Sequence, residues 1–359
     1  MIKCGEPGVL FADNIESGNT TPWLGPLTGV NPCGEVSLYD KEACNLGSIN
    51  LEHFIKWDSD AEVYDRLKRT VDYAIRFLDD TIDINKFPVD GIKEQVEFTR
   101  KIGLGITGLH SFLMLRGFAY DSTDGVDDAT AIMRYINHEA NNASFELGHL
   151  KGVAFAYTDP QFRGNARRNT VTTCIAPTGT ISMILDTSSS GIEPIFSFSY
   201  TRKIDGEDVA IRPSVLHDLL MMFDVDETPE LLRQIDNAGG KLTAIPSLPE
   251  RLRRIAKTAN EIDPQWHLNM QAELQNYVEN NISKTIALPA DTSFPFYKVD
   301  QLIGFAHDSG VRGLTVYVDG SREGQVIMAE EKCPVCGAAI VKEEGCKHCT
   351  QCGWSTCNV

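Results

Sequence analysis

Apolar residues recur at three- and four-residue spacing from Val63 through Leu67, Val71, Ile75 and Leu78 to Ile82. That period predicts a long helix over 61–82 with one face buried, packed against a sheet. Before it, residues 1–50 carry Gly5, Pro7, Gly8, Gly18, Pro22, Gly25, Pro26, Gly29, Pro32 and Gly34, which interrupt any helical period and predict loops without a core of their own. A second helix is expected just before the glycine-rich stretch 103–108, with Gly103 as its C-cap, and a third over 127–147. The β-branched run TVTTCI at 170–175 reads as a buried strand that ends in a turn at Pro177 and Gly179. Asp263 followed by Pro264 has the chemistry of a helix start, and Trp266, Met270, Leu274 and Tyr277 supply the apolar stripe behind it. A strand over 284–288, a helix over 299–309 and a strand over 313–317 complete the series. Strands alternating with helices predict an α/β sheet or barrel over residues 1–326, with a small cysteine-rich module over 327–359.

Composition narrows the function. The chain has 359 residues, 42% hydrophobic and 23% charged, the balance of a folded enzyme rather than a disordered or fibrous chain. Its formal net charge of −17 opposes capture of long nucleic acid or an anionic membrane surface. No apolar run is long enough for a membrane span, and the first residues lack a signal-peptide pattern, so a cytoplasmic address is expected. Ten cysteines are too few for a disulfide scaffold, but Cys333, Cys336, Cys346, Cys349, Cys352 and Cys357 crowd the C-terminus.

Three constellations carry candidate chemistry. Asn31, Cys33 and Glu35 alternate in NPCGE, so an extended backbone would place all three on one face. A free cysteine is more often a small buried hydrophobe, and this triplet alone does not settle its role. The turn Pro177-Thr178-Gly179-Thr180-Ile181-Ser182 offers consecutive backbone N–H groups, three hydroxyls and a glycine, a set that suits a nucleotide's phosphates. In the tail, Cys333-Pro-Val-Cys336-Gly and Cys349-Thr-Gln-Cys352-Gly are paired knuckles with the spacing of a zinc ribbon, four thiolates around one metal ion; Cys346 or His348 could join that shell. His110, His138, His149, His217, His267 and His307 stand singly and read as structural or surface residues, and Cys174 reads as core.

The string NPCGEVSLYDKEACNLGSINL resembles the active-site segment of ribonucleotide reductases. APTGTIS at 176–182 resembles that family's phosphate-binding turn, and LTVYVDGSREGQ at 314–325 resembles its last barrel strand, in the family's order. The resemblance implies the second half of a ten-stranded α/β barrel, with a finger loop at about 28–40. It implies that a thiyl radical on Cys33 takes the ribose C3′ hydrogen, reversibly because the two bonds are of comparable strength. Glu35 would then move the 3′-hydroxyl proton as the 2′-hydroxyl leaves as water, with Asn31 orienting it. Cys44 would be one of two reducing cysteines, its partner lying on an N-terminal half beyond this chain, and Glu193 would face the site. Cys346 and Cys357 would form the mobile dithiol that restores the reduced state, itself served by a thioredoxin-like reductant.

The tail resembles the adenosylcobalamin-dependent class. A second feature agrees: Tyr317 is followed by Val318, whereas relatives fed by a separate radical subunit carry two adjacent tyrosines there. The expected activity is reduction of a ribonucleoside di- or triphosphate by a split or truncated enzyme. The alternatives are a catalytic-subunit fragment of the metal-subunit class and a noncatalytic zinc-ribbon interaction or redox protein.

Overall fold

The structure is a computed structural model that describes residues 5–55, 59–157, 166–204, 207–288 and 296–318, with short stretches of the tail between 333 and 355. Five parallel strand segments follow one another across the sheet in chain order. Asn45–Asn50 pairs with Ile102–Thr107, and Thr285–Leu288 pairs with Gly313–Val318. Between the two pairs runs the extended segment 171–175, joined to Leu104 on one side and to Ile282 on the other. Val9–Leu10 adds an antiparallel strand beyond Gly313–Val318. Among the described residues, Asn45–Asn50 has a strand on one side only.

Helices cover one face of this sheet, as parallel strands require. The helix Asp60–Ile84 starts at a reciprocal cap between Ser59 and Glu62 and buries all six apolar residues of its predicted face. It packs with Thr123–Lys151 over Ile49, Ile102, Leu104, Ile106 and Ile175. A second cluster seats Phe296–Asp308 and Leu268 on Ile286, Leu288, Leu314 and Val316. By strand alternation, Thr285, Thr315 and Tyr317 face the other way, into the barrel interior. The helix Pro264–Gln275 begins as its sequence predicts, with the Asp263 carboxylate accepting from the Gln265 N–H at 2.8 Å.

One expectation needs correction. The helix Ile92–Thr99 ends at Arg100, itself left-handed at φ 47°, and Gly103 caps nothing. The glycine run is instead the strand Ile102–Thr107, buried along its whole length. Glycine is required there by close approach. A Cβ on Gly103 would lie 2.4 Å from the Cys174 sulfur, and one on Gly105 would lie 2.3 Å from the Cys174 carbonyl.

Candidate active site

The short strands Gly29–Val30 and Ser37–Leu38 form a hairpin that carries Cys33 at its tip. Asn31 builds the turn: its backbone N–H donates to the Val36 carbonyl, and its Oδ1 accepts from the Val36 N–H at 3.0 Å. Gly34 follows with φ 79°, a conformation that favours glycine. Cys33 is exposed, whereas Glu35 is 3% exposed and its Oε2 has no hydrogen-bond partner. Burial, and then the charge of Glu35, raise the Cys33 thiol above its ordinary value. At neutral pH it therefore keeps its proton.

The hairpin is pinned from two sides by residues that the sequence reading did not single out. Asn281 Nδ2 donates to the Gly34 carbonyl at 2.9 Å and to Ser37 Oγ at 2.7 Å, and its backbone N–H reaches the Glu35 carbonyl. Asn280 Oδ1 accepts from the Ser37 N–H at 2.8 Å. On the other side, the buried Lys101 ammonium donates to the Ser37 carbonyl and to Glu42, whose carboxylate also accepts from the Tyr39 N–H and the Thr99 hydroxyl. Arg312 and Gln275 hold the Asn280 carbonyl in turn. Seven polar side chains thus fix the hairpin, directly or through one another, beside the buried Val36.

A cavity of about 830 Å³ joins this tip to the barrel wall. Asn31, Cys33 and Gly34 line it with Pro177 of the turn, Ser283, Lys284 and Thr285 of the next strand, and Thr315 and Tyr317 of the last one. The structure therefore brings Cys33, Asn31 and the start of the 177–182 turn together. Thr178 is left-handed at φ 57° and opens the helix Gly179–Ile184. Its hydroxyl bonds to that of Thr107 at 2.8 Å and accepts from the Gly191 N–H at 2.7 Å, and Ser182 donates to the Thr178 carbonyl. The hydroxyls of Thr178 and Ser182 thus brace the turn from inside. Gly179 and Thr180 are exposed.

Cys44 lies one residue before Asn45–Asn50, half-buried, with its thiol directed to the Asn45 carbonyl at 3.6 Å. It does not line the cavity with Cys33. Burial pushes its thiol up to about 12, and the charges of Glu42 and Glu35 add to the rise against Lys101. Cys174 is core, 1% exposed, as expected. Glu193 sits beside the turn and accepts from the Thr285 N–H at 2.7 Å.

In the tail, the sulfurs of Cys333, Cys336, Cys349 and Cys352 all lie within 4.8 Å of one another, with Cys333–Cys352 at 3.4 Å and Cys336–Cys349 at 3.5 Å. Edges of about 3.8 Å are expected for four sulfurs around zinc at about 2.3 Å, so the donor set fits that ion. Within the cluster, backbone N–H groups of Cys352 and Gln351 draw the Cys349 thiol down, while its sulfur neighbours push Cys336 and Cys352 up. Cys346 begins the strand Cys346–Cys349, but its side chain, like Cys4 and Cys357, lies outside the described residues, as does the expected domain boundary at 326. No helix among the described residues is long and apolar enough to cross a membrane.

A family model described as "Ribonucleotide reductase, barrel domain" matches residues 1–167 and 160–317. The chain is 41% identical over 343 residues to a protein of Mycobacterium tuberculosis named vitamin B12-dependent ribonucleoside-diphosphate reductase, covering 95% of this chain and 48% of that protein. A protein of the same name from Thermoplasma acidophilum is 38% identical over 330 residues, covering 91% of this chain and 42% of that protein. The chain thus spans about half the length of these relatives. Among solved structures, the class Id ribonucleotide reductase alpha subunit of Actinobacillus ureae superposes with a TM-score of 0.74 at 24% identity, over 88% of this chain and 58% of that one, a likeness of fold.

Proposed function

Because this chain belongs to the ribonucleotide reductase family through its barrel domain, we propose that it supplies the radical-thiol half of a reductase converting ribonucleotides to deoxyribonucleotides. The observation that carries the reading is the one cavity lined by both Cys33 and Pro177 at the head of the 177–182 turn; Glu35, next but one to Cys33, is buried and lies outside that lining. A thiol that stays protonated holds the hydrogen atom that such chemistry removes and later returns. The Glu35 carboxylate, unpartnered at Oε2, accepts the 3′-hydroxyl proton as the 2′-hydroxyl, protonated by a thiol of the reducing pair, departs as water, and it returns that proton to the 3′ oxygen at the end of the cycle. Amides of Gly179, Thr180 and Ile181 at the helix start hold the phosphates, with Pro177, Thr178 and Ser182 shaping the turn. Cys44 and a cysteine on an N-terminal half supply two electrons by closing a disulfide. Cys346 and Cys357 then reduce that disulfide, served by a thioredoxin-like protein.

The relatives' names favour adenosylcobalamin as the radical source and a ribonucleoside diphosphate as substrate. Cys33 suits such a partner: the thiol is exposed beside Pro32 and Leu10, an open apolar shoulder against which an organocobalt group can rest. Adenosylcobalamin, when bound, supplies the carbon-centred radical that activates the thiol. The four-cysteine site in the tail would hold one zinc ion in a structural role.

The test mixes the purified chain with the chain that completes the barrel and follows CDP reduction with and without adenosylcobalamin and a dithiol. Deoxy-CDP is expected only when all are present, and Cys33→Ser should abolish it. Product that requires a metal-bearing radical subunit instead would assign the metal-subunit class. No product from any mixture would leave the noncatalytic zinc-ribbon role.

A further inference from the structure

Behind the turn stands a buried cation that the mechanism above does not use. The Lys284 side chain is fully buried, and its ammonium donates to the Glu193 carboxylate, to His267 Nδ1 at 3.0 Å and to the Thr285 carbonyl at 2.6 Å. All three of its protons are thereby used. His267 Nε2 donates to the Ala259 carbonyl at 3.1 Å, which leaves Nδ1 as the acceptor that Lys284 needs. Burial, and then the charge of Lys284, hold His267 well below its ordinary value, so the ring is neutral. The second Glu193 oxygen takes the Thr285 N–H.

This group is wired to the cavity and to the turn. Lys284 and Thr285 line the same cavity as Cys33. Glu193 lies two residues after Gly191, whose N–H is held by the Thr178 hydroxyl at the head of the turn. Gly191 itself sits at φ 52°, and a Cβ there would come 3.0 Å from the Ala176 carbonyl, so this connection has little slack. The Glu193 side chain remains 28% exposed, two residues from the glycine that the head of the turn holds.

We propose that Lys284, Glu193 and His267 form a charge-neutral clamp that positions the 177–182 turn against the cavity wall and masks the Glu193 carboxylate from an incoming diphosphate. The masking half rests on the reading of that turn as a phosphate site; the positioning half stands on the contacts alone. Lys284 and Glu193 are positioning residues. Lys284→Met leaves the partly exposed Glu193 carboxylate without its cation, Glu193→Gln strands the fully buried ammonium, and the double variant removes the ion pair without leaving a charge.

Amide hydrogen exchange of the full 359-residue chain, read by mass spectrometry, tests the positioning with no ligand present. In Lys284→Met, exchange in peptides over 176–184 and 189–195 is expected to rise about tenfold, and to stay raised in the double variant with Glu193→Gln, which lacks the ion pair but leaves no unpaired charge. Peptides from the helix Thr123–Lys151 are the reference and should not change. Unchanged exchange in Lys284→Met, or a double variant that exchanges like the parent, overturns the clamp. If Lys284→Met also loosens the reference helix, Glu193→Gln alone decides: faster exchange confined to the two segments supports the clamp, and parental exchange overturns it.

Equilibrium dialysis with CDP and with cytidine tests the masking. Lys284→Met should weaken CDP by about tenfold, leave cytidine unchanged, and be rescued in the double variant. Equal losses for both ligands overturn the masking. A parent chain that shows no preference for CDP over cytidine refutes the phosphate reading, and with it the masking, while the exchange result still decides the positioning.

Discussion

Asn281→Ala isolates what holds the Cys33 hairpin in place. The substitution removes two hydrogen bonds, to the Gly34 carbonyl and to Ser37 Oγ, and spares the backbone bond to Glu35. Two such bonds contribute about 2 kcal/mol net. The buried Ser37 hydroxyl then loses the one side-chain partner given to it, a further cost of about 1 kcal/mol, while the orphaned Oδ1 of Asn281 disappears and returns about as much. The expected loss is therefore about 2 kcal/mol in urea unfolding, a large share of the stability of a typical domain. The loss should be local as well as global. Alkylation of Cys33 under native conditions, followed by peptide mass spectrometry, should accelerate as the tip is freed, while the buried Cys174 stays unmodified. A change in stability below about 0.5 kcal/mol together with parental alkylation of Cys33 would refute the view that this amide positions the hairpin.

Three further outcomes follow from the same geometry. The rate of Cys33 alkylation should rise with pH through a midpoint above the ordinary 9.0, because a raised pKa delays the thiolate; Glu35→Gln should move that midpoint down, and an unmoved midpoint would remove Glu35 from the thiol's surroundings. Lys101→Met strands the fully buried Glu42 carboxylate and should cost about 3–5 kcal/mol in the same unfolding assay, most of it recovered when Glu42→Gln is added. The purified chain should carry one zinc ion by elemental analysis, lost on Cys336→Ser or Cys352→Ser and retained on Cys33→Ser; full metal content in Cys336→Ser would dissolve the proposed site.

The helices were legible because burial imposes a period on them. The stripe from Val63 to Ile82 predicts the helix within two residues at either end, and Asp263-Pro264 marks the start of another. The strand Ile102–Thr107 was misread although its alternation is in the sequence. Ile102, Leu104 and Ile106 face the helices, but the positions between them are Gly103, Gly105 and Thr107, and two glycines look like punctuation when the crowding that demands them is out of view. At the site, Cys33 and Glu35 could be named from their chemistry and spacing. Asn281 and Lys101 could not, since their value depends on a hairpin that the chain brings to them from 247 and 64 residues away by folding rather than by pattern, and Glu42 gains its role only through Lys101, 59 residues on. Thr178 and Ser182 were singled out for their hydroxyls, yet those hydroxyls serve the turn's own framework.

The distance in sequence between the hairpin and its fasteners also sets an order of events during synthesis. Cys33 leaves the ribosome early, but the Asn280 and Asn281 contacts that fix its loop come from 243 and 247 residues later, and Arg312, which braces them, later still. Until that last stretch has emerged and joined the sheet, the thiol and its carboxylate have no fixed relation to each other or to the turn. A prematurely ended chain would carry Cys33 on a hairpin without its fasteners. The fold thus fixes the tip of this hairpin last.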